Sequence, residues 1–242
     1  MFLISLIGKA GKIKPPFCSV VIVAAGSSRR MDGEDKLFAE ILGVPVLAHT
    51  LAAFQICEGI GEIIVVVRKE ALERVSRICM EHGITKASSI IVGGQTRLLS
   101  VINGVFAVSK KAKLIAIHDG ARPCVSQEVI IRTLQAAAKY HAAAPAVPVG
   151  FTVKKVRDHS IIETVDRGEL FEVQTPQIFD ANLIKAALTN AVNKSIEVTD
   201  DCMAVEAIGA SVHVSEGSRH NIKLTTSEDI VIAEAILRRA RN

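Results

Sequence analysis

The chain has no tryptophan and a single tyrosine, Tyr140, and aromatic residues fill only 4% of its 242 positions. A stacking platform for single-stranded nucleic acid needs such rings, so that class of function is poorly supplied. Charge of one sign is also scarce. The formal net charge of +4 is too small for the basic footprint of a nucleic-acid binder, and no nucleic-acid partner is expected. The five cysteines (Cys18, Cys57, Cys79, Cys124, Cys202) are widely separated, odd in number and form no C-x-x-C pair. That spacing argues against a zinc site or a disulfide framework and for a reducing compartment. No apolar run reaches the ~18 residues that a membrane-spanning helix requires, so no membrane partner is expected. The opening MFLISLIGKAGKIKPP places its apolar residues ahead of Lys9, Lys12 and Lys14, the reverse of a secretory signal. Residues 1–18 therefore read as a peripheral tail or the product of an upstream start codon.

What the chain does have is apolar material: 49% hydrophobic residues against 22% charged, with a mean hydropathy of +0.35. This suffices for a packed core, and the length fits one domain, taken as residues 19–240. Short β-branched runs alternate with longer amphipathic stretches, the pattern of βα units. Residues 19–24, 62–67, 89–92, 113–118 and 143–149 are almost continuously apolar, as strands buried on both faces should be. Helices are expected over 45–54, 69–82, 96–108 and 126–141, the last opened by Ser126 with Glu128 in its first turn. Between Phe151 and Thr164 the pattern changes to polar–apolar alternation around Asp158-His159-Ser160, which predicts a hairpin projecting from the sheet. Beyond it, helices are expected over 180–193 and 199–208, a strand over 211–217, and a final helix over 227–239 capped by Ser227.

The first chemical motif is AAGSSRRM, Ala24 to Met31, directly after the first strand, with Lys36 close behind. In a parallel α/β sheet the ligand crevice lies at the carboxyl ends of the strands, and small residues there let backbone N–H groups approach a phosphate. Arg30 and Lys36 add positive charge. The turn matches neither G-x-x-x-x-G-K-[ST] nor G-x-G-x-x-G, which disfavours P-loop hydrolysis and dinucleotide binding. The strand over 62–67 ends in Val67-Arg68 rather than an acidic residue, so a nicotinamide oxidoreductase is improbable. Asp119 closes another strand, where its carboxylate can hold a ribose hydroxyl or a hydrated Mg²⁺ beside a triphosphate; Arg122, with a planar fork suited to phosphate, either works there or pairs with Asp119. Seven histidines lack H-x-x-x-H spacing, so a dedicated zinc site is not indicated.

AAGSSRRM followed by Lys36-Leu37-Phe38 resembles the signature loop of the sugar nucleotidyltransferases. The blocks GGQTRLLSV (Gly93–Val101), HDGARP (His118–Pro123), TVKKV (Thr152–Val156), ETVDR (Glu163–Arg167), QTPQIF (Gln174–Phe179), VTDD (Val198–Asp201) and EGSRHNIKLTT (Glu216–Thr226) narrow the resemblance to the 2-C-methyl-D-erythritol 4-phosphate cytidylyltransferases. The resemblance implies a Rossmann-like three-layer α/β sandwich with a mostly parallel sheet and a projecting β-hairpin dimerisation arm at about 151–170. It implies a CTP site built from Ala24, Ala25, Gly26, Ser27, Ser28, Gly93, Gly94, Gln95, Ser100, Asp119, Gly120 and Ala121, with Mg²⁺ held by Asp119 and mainly by the CTP phosphates. Arg30, Lys36, Arg167 and Lys223 would be catalytic. The acceptor, methylerythritol phosphate, would be bound by Arg122, Thr152, Arg167, Thr175, Thr199 and Lys223, with the arm residues coming from the neighbouring subunit of a homodimer. A cytoplasmic location, or a plastid in a eukaryotic source, would follow.

Four features depart from the family pattern. Ser28 stands where many relatives have a second glycine, the stretch from Met31 to Lys36 is one residue short, Phe151 replaces an aspartate before the arm threonine, and Gln95 replaces an acidic residue. Two other functions share the scaffold: a ribitol-5-phosphate cytidylyltransferase, which differs around the arm, Thr175 and Thr199, and a non-catalytic nucleotide-binding module, which would have no need of Arg30, Lys36, Arg167 and Lys223 together.

Overall fold

A computed structural model describes residues 17–26 and 35–241. In chain order the elements are β1 (Cys18–Ala24), β2 (Glu40–Ile41), β3 (Val44–Pro45), α1 (Val46–Gln55), β4 (Ile60–Val67), α2 (Leu72–Glu81) after a 3-10 turn at Lys69–Ala71, β5 (Ala87–Val92), α3 (Arg97–Ala107), β6 (Leu114–Asp119), α4 (Gln127–Tyr140), β7 (Ala142–Pro148), β8 (Val153–Arg157), β9 (Ser160–Val165), β10 (Phe171–Val173), β11 (Gln177–Asp180), α5 (Ala181–Asn193), α6 (Asp201–Glu206), β12 (His213–Glu216) and α7 (Ser227–Arg241).

The central sheet runs β10-β7-β11-β6-β1-β4-β5, with β12 on the other side of β7. β1 pairs in parallel with β4 and β6, β4 with β5, and β7 with β12. The strands expected from their apolar runs are those parallel strands. Alternation within them sorts the core into two layers: Val20 and Ile22 face Leu47, Leu51, Phe54 and Ile130 on the α1, α2, α4 and α7 side, whereas Val21 joins Val101, Val105, Ile184 and Leu188 on the α3, α5 and α6 side. This is the expected three-layer sandwich.

Two antiparallel strands went unanticipated. β11 lies between β6 and β7, opposite Gln177↔Ile117 and Ile178↔Ala143, and β10 pairs with β7. β11 is four residues long with polar ends, too short for a period to register. The sheet begins at Cys18, fully buried, and the Phe17 carbonyl accepts from the Lys113 N–H at 2.9 Å, so the last residues of the expected tail belong to the fold.

The caps follow the local chemistry. Ser126 accepts from the Val129 N–H and opens α4 as expected, while α6 is shorter than expected and is opened by Asp200, which accepts from the Met203 N–H at 2.9 Å. Ser227 does not cap α7. Asp229 reaches back instead, accepting from the N–H groups of Thr225 at 2.6 Å and Thr226 at 2.8 Å, the carboxylate half of a capping box. The expected hairpin is β8–β9, turning through Asp158 and His159 with φ of 48° and 61°, as a two-residue turn with both central residues left-handed requires. No helix among the described residues is long and apolar enough to cross a membrane.

Candidate active site

The carboxyl ends of β1 and β6, the loop after β5 and the segment before α7 enclose a cleft of about 510 Å³, lined in part by Ala24, Ala25, Gly26, Lys36, Gly94, Gln95, Ser100, Asp119, Ala121 and Lys223. This is where a parallel sheet leaves room for a ligand, because the strand ends diverge into separate loops. Ser27, Ser28 and Arg30 lie outside the described residues.

Each wall has a local cause. Gly94 sits so close to α3 that a Cβ there would be 2.3 Å from the Leu99 Cβ and 3.0 Å from the Leu99 backbone carbon; at Gly93 it would be 2.5 Å from the Ala25 Cβ. The glycines thus let the β5–α3 loop press onto the end of β1. Ser100 is buried and its hydroxyl is spent on that loop, accepting from the Gly94 N–H at 3.1 Å and donating to the Thr96 carbonyl at 2.9 Å. It shapes this wall of the cleft through the backbone. Gly120, whose N–H donates to the Val23 carbonyl at 2.9 Å, stitches β6 to β1, and Thr50 donates to the Gly120 carbonyl at 2.9 Å.

The electrostatic centre is Asp119. Its Oδ2 lies 3.1 Å from Lys223 Nζ and 3.2 Å from Arg122 Nε. Burial opposes its ionisation, but Lys223, Arg122 and Arg97 outweigh burial and hold the carboxyl down at about 2. Arg122, read as an acceptor contact, therefore does pair with Asp119, and its other arm donates to the Asn221 carbonyl at 2.7 Å. Lys36 donates to the Leu224 carbonyl at 2.8 Å, which brings it beside Lys223 from the opposite end of the chain. Burial, then repulsion from Lys223, lowers the Lys36 pKa, so the two ammonium groups form a site that an anion would stabilise.

The remaining expected acceptor residues do not converge. Thr175 is 4% exposed, with its hydroxyl 2.9 Å from His118 Nδ1 and accepting the Asp119 N–H at 3.2 Å, so it holds the Asp119 backbone and presents no hydroxyl to a ligand. Thr152 and Arg167 are exposed at the base of the hairpin, where Arg167 donates to the Gly150 carbonyl at 2.6 Å, and Thr199 is exposed ahead of α6; none of the three lines the cleft.

Sequence reasoning missed Arg97. It lines the cleft and grips the fully buried Asp201 with both arms, at 3.1 and 2.7 Å. Gln177 of β11 completes this joint, its oxygen accepting from the Asp201 and Cys202 N–H groups and its nitrogen donating to Asp200 at 2.8 Å. Both charged partners fell inside quoted blocks, GGQTR and VTDD, but a pairing across 104 residues leaves no local signal. His118 is buried, and burial pushes its ring down to about 3.

No group of three His, Cys, Asp or Glu side chains able to hold a metal ion occurs among the described residues. Asp119 is a single carboxylate in a cation-rich cleft. That donor set fits a divalent ion that keeps much of its water and shares itself with ligand phosphates.

Residues 18–239 match a family model described as 2-C-methyl-D-erythritol 4-phosphate cytidylyltransferase. The chain is 45% identical over 220 residues to the 2-C-methyl-D-erythritol 4-phosphate cytidylyltransferase of Halalkalibacterium halodurans, covering 90% of this chain and 96% of the relative. With the enzyme of that name from Caldanaerobacter subterraneus the identity is 43% over 224 residues, 91% and 99% of the two chains. Among solved structures, the 4-diphosphocytidyl-2C-methyl-D-erythritol synthase of Anaerococcus prevotii superposes with a TM-score of 0.82 at 33% identity, covering 93% and 97% of the two chains. The 2-C-methyl-D-erythritol 4-phosphate cytidylyltransferase of Thermus thermophilus gives 0.76 at 33% identity over 91% and 98%. The match runs unbroken from β1 into α7 and takes in every wall of the cleft, so the chain belongs to the 2-C-methyl-D-erythritol 4-phosphate cytidylyltransferase family.

Proposed function

We propose that the protein transfers the cytidylyl group of CTP to 2-C-methyl-D-erythritol 4-phosphate, releasing pyrophosphate, a step in the supply of isoprenoid precursors. The observation that carries this reading is the pair Lys36 and Lys223, brought together at the cleft beside Asp119, where burial and the neighbouring ammonium group oppose the charge on Lys36 until an anion arrives.

The chemistry asks little of an acid or base. An oxygen of the acceptor's phosphate, already anionic, attacks the α-phosphorus; that P–O bond forms as the bond to the bridging oxygen breaks, and the electron pair leaves with pyrophosphate. No proton must be removed, which suits a cleft whose histidine, His118, is buried and whose carboxylate is ionised at neutral pH. Catalysis then rests on position and charge. Lys36 neutralises the α-phosphate oxygens as charge builds on them, Lys223 the incoming phosphate, and Arg30 adds a third cation. Asp119 would hold Mg²⁺ with the nucleotide phosphates; the ion would supply charge neutralisation. The Gly93-Gly94-Gln95 loop and Ser100 form the wall against which the base lies. A neighbouring hollow of about 310 Å³ shares Lys223 with the cleft, and Arg122, Arg219 and Asn221 line it; it suits the acceptor.

The hairpin supports a homodimer. Val156 and Ile161, cross-strand partners, are 57% and 64% exposed, and Phe151 at its base is 84% exposed. Pairing with a second copy would cover this surface and carry Thr152 and Arg167 toward the partner's cleft. A cytoplasmic location accords with the bacterial relatives.

Pyrophosphate release with CTP and Mg²⁺, offering methylerythritol 4-phosphate and ribitol 5-phosphate in parallel and ATP, GTP and UTP as controls, tests the reading. Turnover restricted to CTP and methylerythritol phosphate is expected. Turnover with ribitol phosphate would reassign the acceptor, and none with either would reject the transferase.

A further inference from the structure

His118 is fully buried, yet it stands directly before Asp119 and takes no part in the transfer described above. Its ring packs edge-on against Phe54, with centroids 4.8 Å apart. Both ring nitrogens face polar partners: Nδ1 lies 2.9 Å from Thr175 Oγ1, and Nε2 lies 3.5 Å from the Arg122 carbonyl. A carbonyl can only accept, so the contact with Arg122 favours the ring proton on Nε2, which leaves Nδ1 as an acceptor. The Thr175 hydroxyl therefore donates to Nδ1, and its oxygen in turn accepts the Asp119 N–H at 3.2 Å. One ring thus grips both ends of the four-residue turn Asp119–Arg122, whose outward side chains form the charged centre of the cleft.

We propose that His118 is a positioning residue for the nucleotide cleft: fixed as the Nε2–H tautomer, it sets the Asp119 backbone through Thr175 and the Arg122 backbone directly, and so aims the Asp119 carboxylate. An apolar side chain of the same size would fill the space and leave the Thr175 O–H without its acceptor and the Arg122 carbonyl without the ring N–H, a loss that falls on the geometry of the turn. Asn221 secures the far limb, donating to the Thr175 carbonyl at 2.8 Å, so the histidine link can be cut while the Thr175 backbone stays held between β10 and β11.

This inference rests on the cytidylyl-transfer reading for its kinetic readout, and two of its tests do not. His118→Phe keeps the ring and the Phe54 contact, Thr175→Val removes the hydroxyl alone, and His118→Asn returns a carboxamide oxygen near the Nδ1 position. Loss of one buried hydrogen-bonded link is expected to lower kcat/KM for CTP about tenfold in His118→Phe and in Thr175→Val, with KM for the acceptor unchanged. The double variant should lose less than the sum of the two single variants, because both cut the His118–Thr175 link that they share, and His118→Asn should recover most of the loss. CTP affinity by calorimetry should follow the same order, and long-range ¹H–¹⁵N spectra should place the ring proton of His118 on Nε2. Wild-type kcat and KM in His118→Phe, additive effects in the double variant, or a proton on Nδ1 would each overturn the proposal. If His118→Phe does not fold, Thr175→Val and the tautomer decide it. Should the wild-type enzyme turn over no acceptor, the transferase reading fails while affinity and tautomer still judge His118.

Discussion

Lys36 shows how a side chain's neighbours define its work. Its backbone follows the signature loop, but its ammonium group is held by the Leu224 carbonyl on the far side of the cleft, next to Lys223. Truncating it removes a cation from the place where charge develops on the α-phosphate and leaves the fold's core untouched. Lys36→Ala is expected to lower kcat by about two orders of magnitude, with a melting temperature near that of the wild type. Pyrophosphate-release kinetics beside a thermal melt will check this, and an unchanged kcat would remove Lys36 from the mechanism. Thr175 teaches the converse. Its block marked it as an acceptor contact, whereas its hydroxyl is committed on both sides, to His118 and to the Asp119 N–H. A threonine in a motif states that a hydroxyl is needed; the partner depends on which strands lie alongside.

Helix α3 is set by two demands that pull apart. Its first turn carries the cleft wall, so the helix must lie close on the sheet, and Gly104 makes that approach possible: a Cβ there would be 2.3 Å from Val21 Cγ1 and 2.8 Å from Val66 Cγ2. Alanine normally favours a helix over glycine by about 1 kcal/mol. Here overpacking outweighs that gain, and Gly104→Ala is expected to destabilise the protein by about 1–3 kcal/mol in denaturant titration; a stabilised variant would contradict the packing. At α7 the sensitive feature is the carboxylate of Asp229. Partial burial opposes its ionisation, but the N–H groups of Thr225 and Thr226 outweigh burial and lower its pKa. A carboxyl whose folded pKa is depressed stabilises the fold above its unfolded value and loses that contribution as pH falls through the folded one. Asp229→Asn should therefore cost a few tenths to about 1 kcal/mol at neutral pH, with the gap to the wild type closing in acid; melts at a series of pH values will show whether it closes.

At the scale of the molecule, the hairpin stands apart from the central sheet among the described residues. β8 and β9 pair with each other in a sheet of their own, with Val156, Ile161 and Ile162 largely in solvent. Replacing residues 151–165 by a short glycine–serine link is expected to give a monomer by sizing with light scattering and to abolish turnover, since Thr152 would be lost; a persistent dimer would place the interface elsewhere. The two faces of the central sheet, by contrast, are covered within the chain. Its parallel strands are covered by α1, α2, α4 and α7 on one side and by α3, α5 and α6 on the other.

The sequence by itself determined the βα alternation, the buried strands, the hairpin turn at Asp158-His159 and the blocks that carry the family, because burial periods and glycine-rich turns are written locally. Tertiary structure alone decided that β11 enters between β6 and β7, that Arg97 closes on Asp201, that Lys36 meets Lys223, and that His118 sits behind Asp119. A period of 2 or 3.6 residues records which face of an element is buried. It carries no record of which distant element does the burying, and the charges of this cleft become a site only when those elements meet.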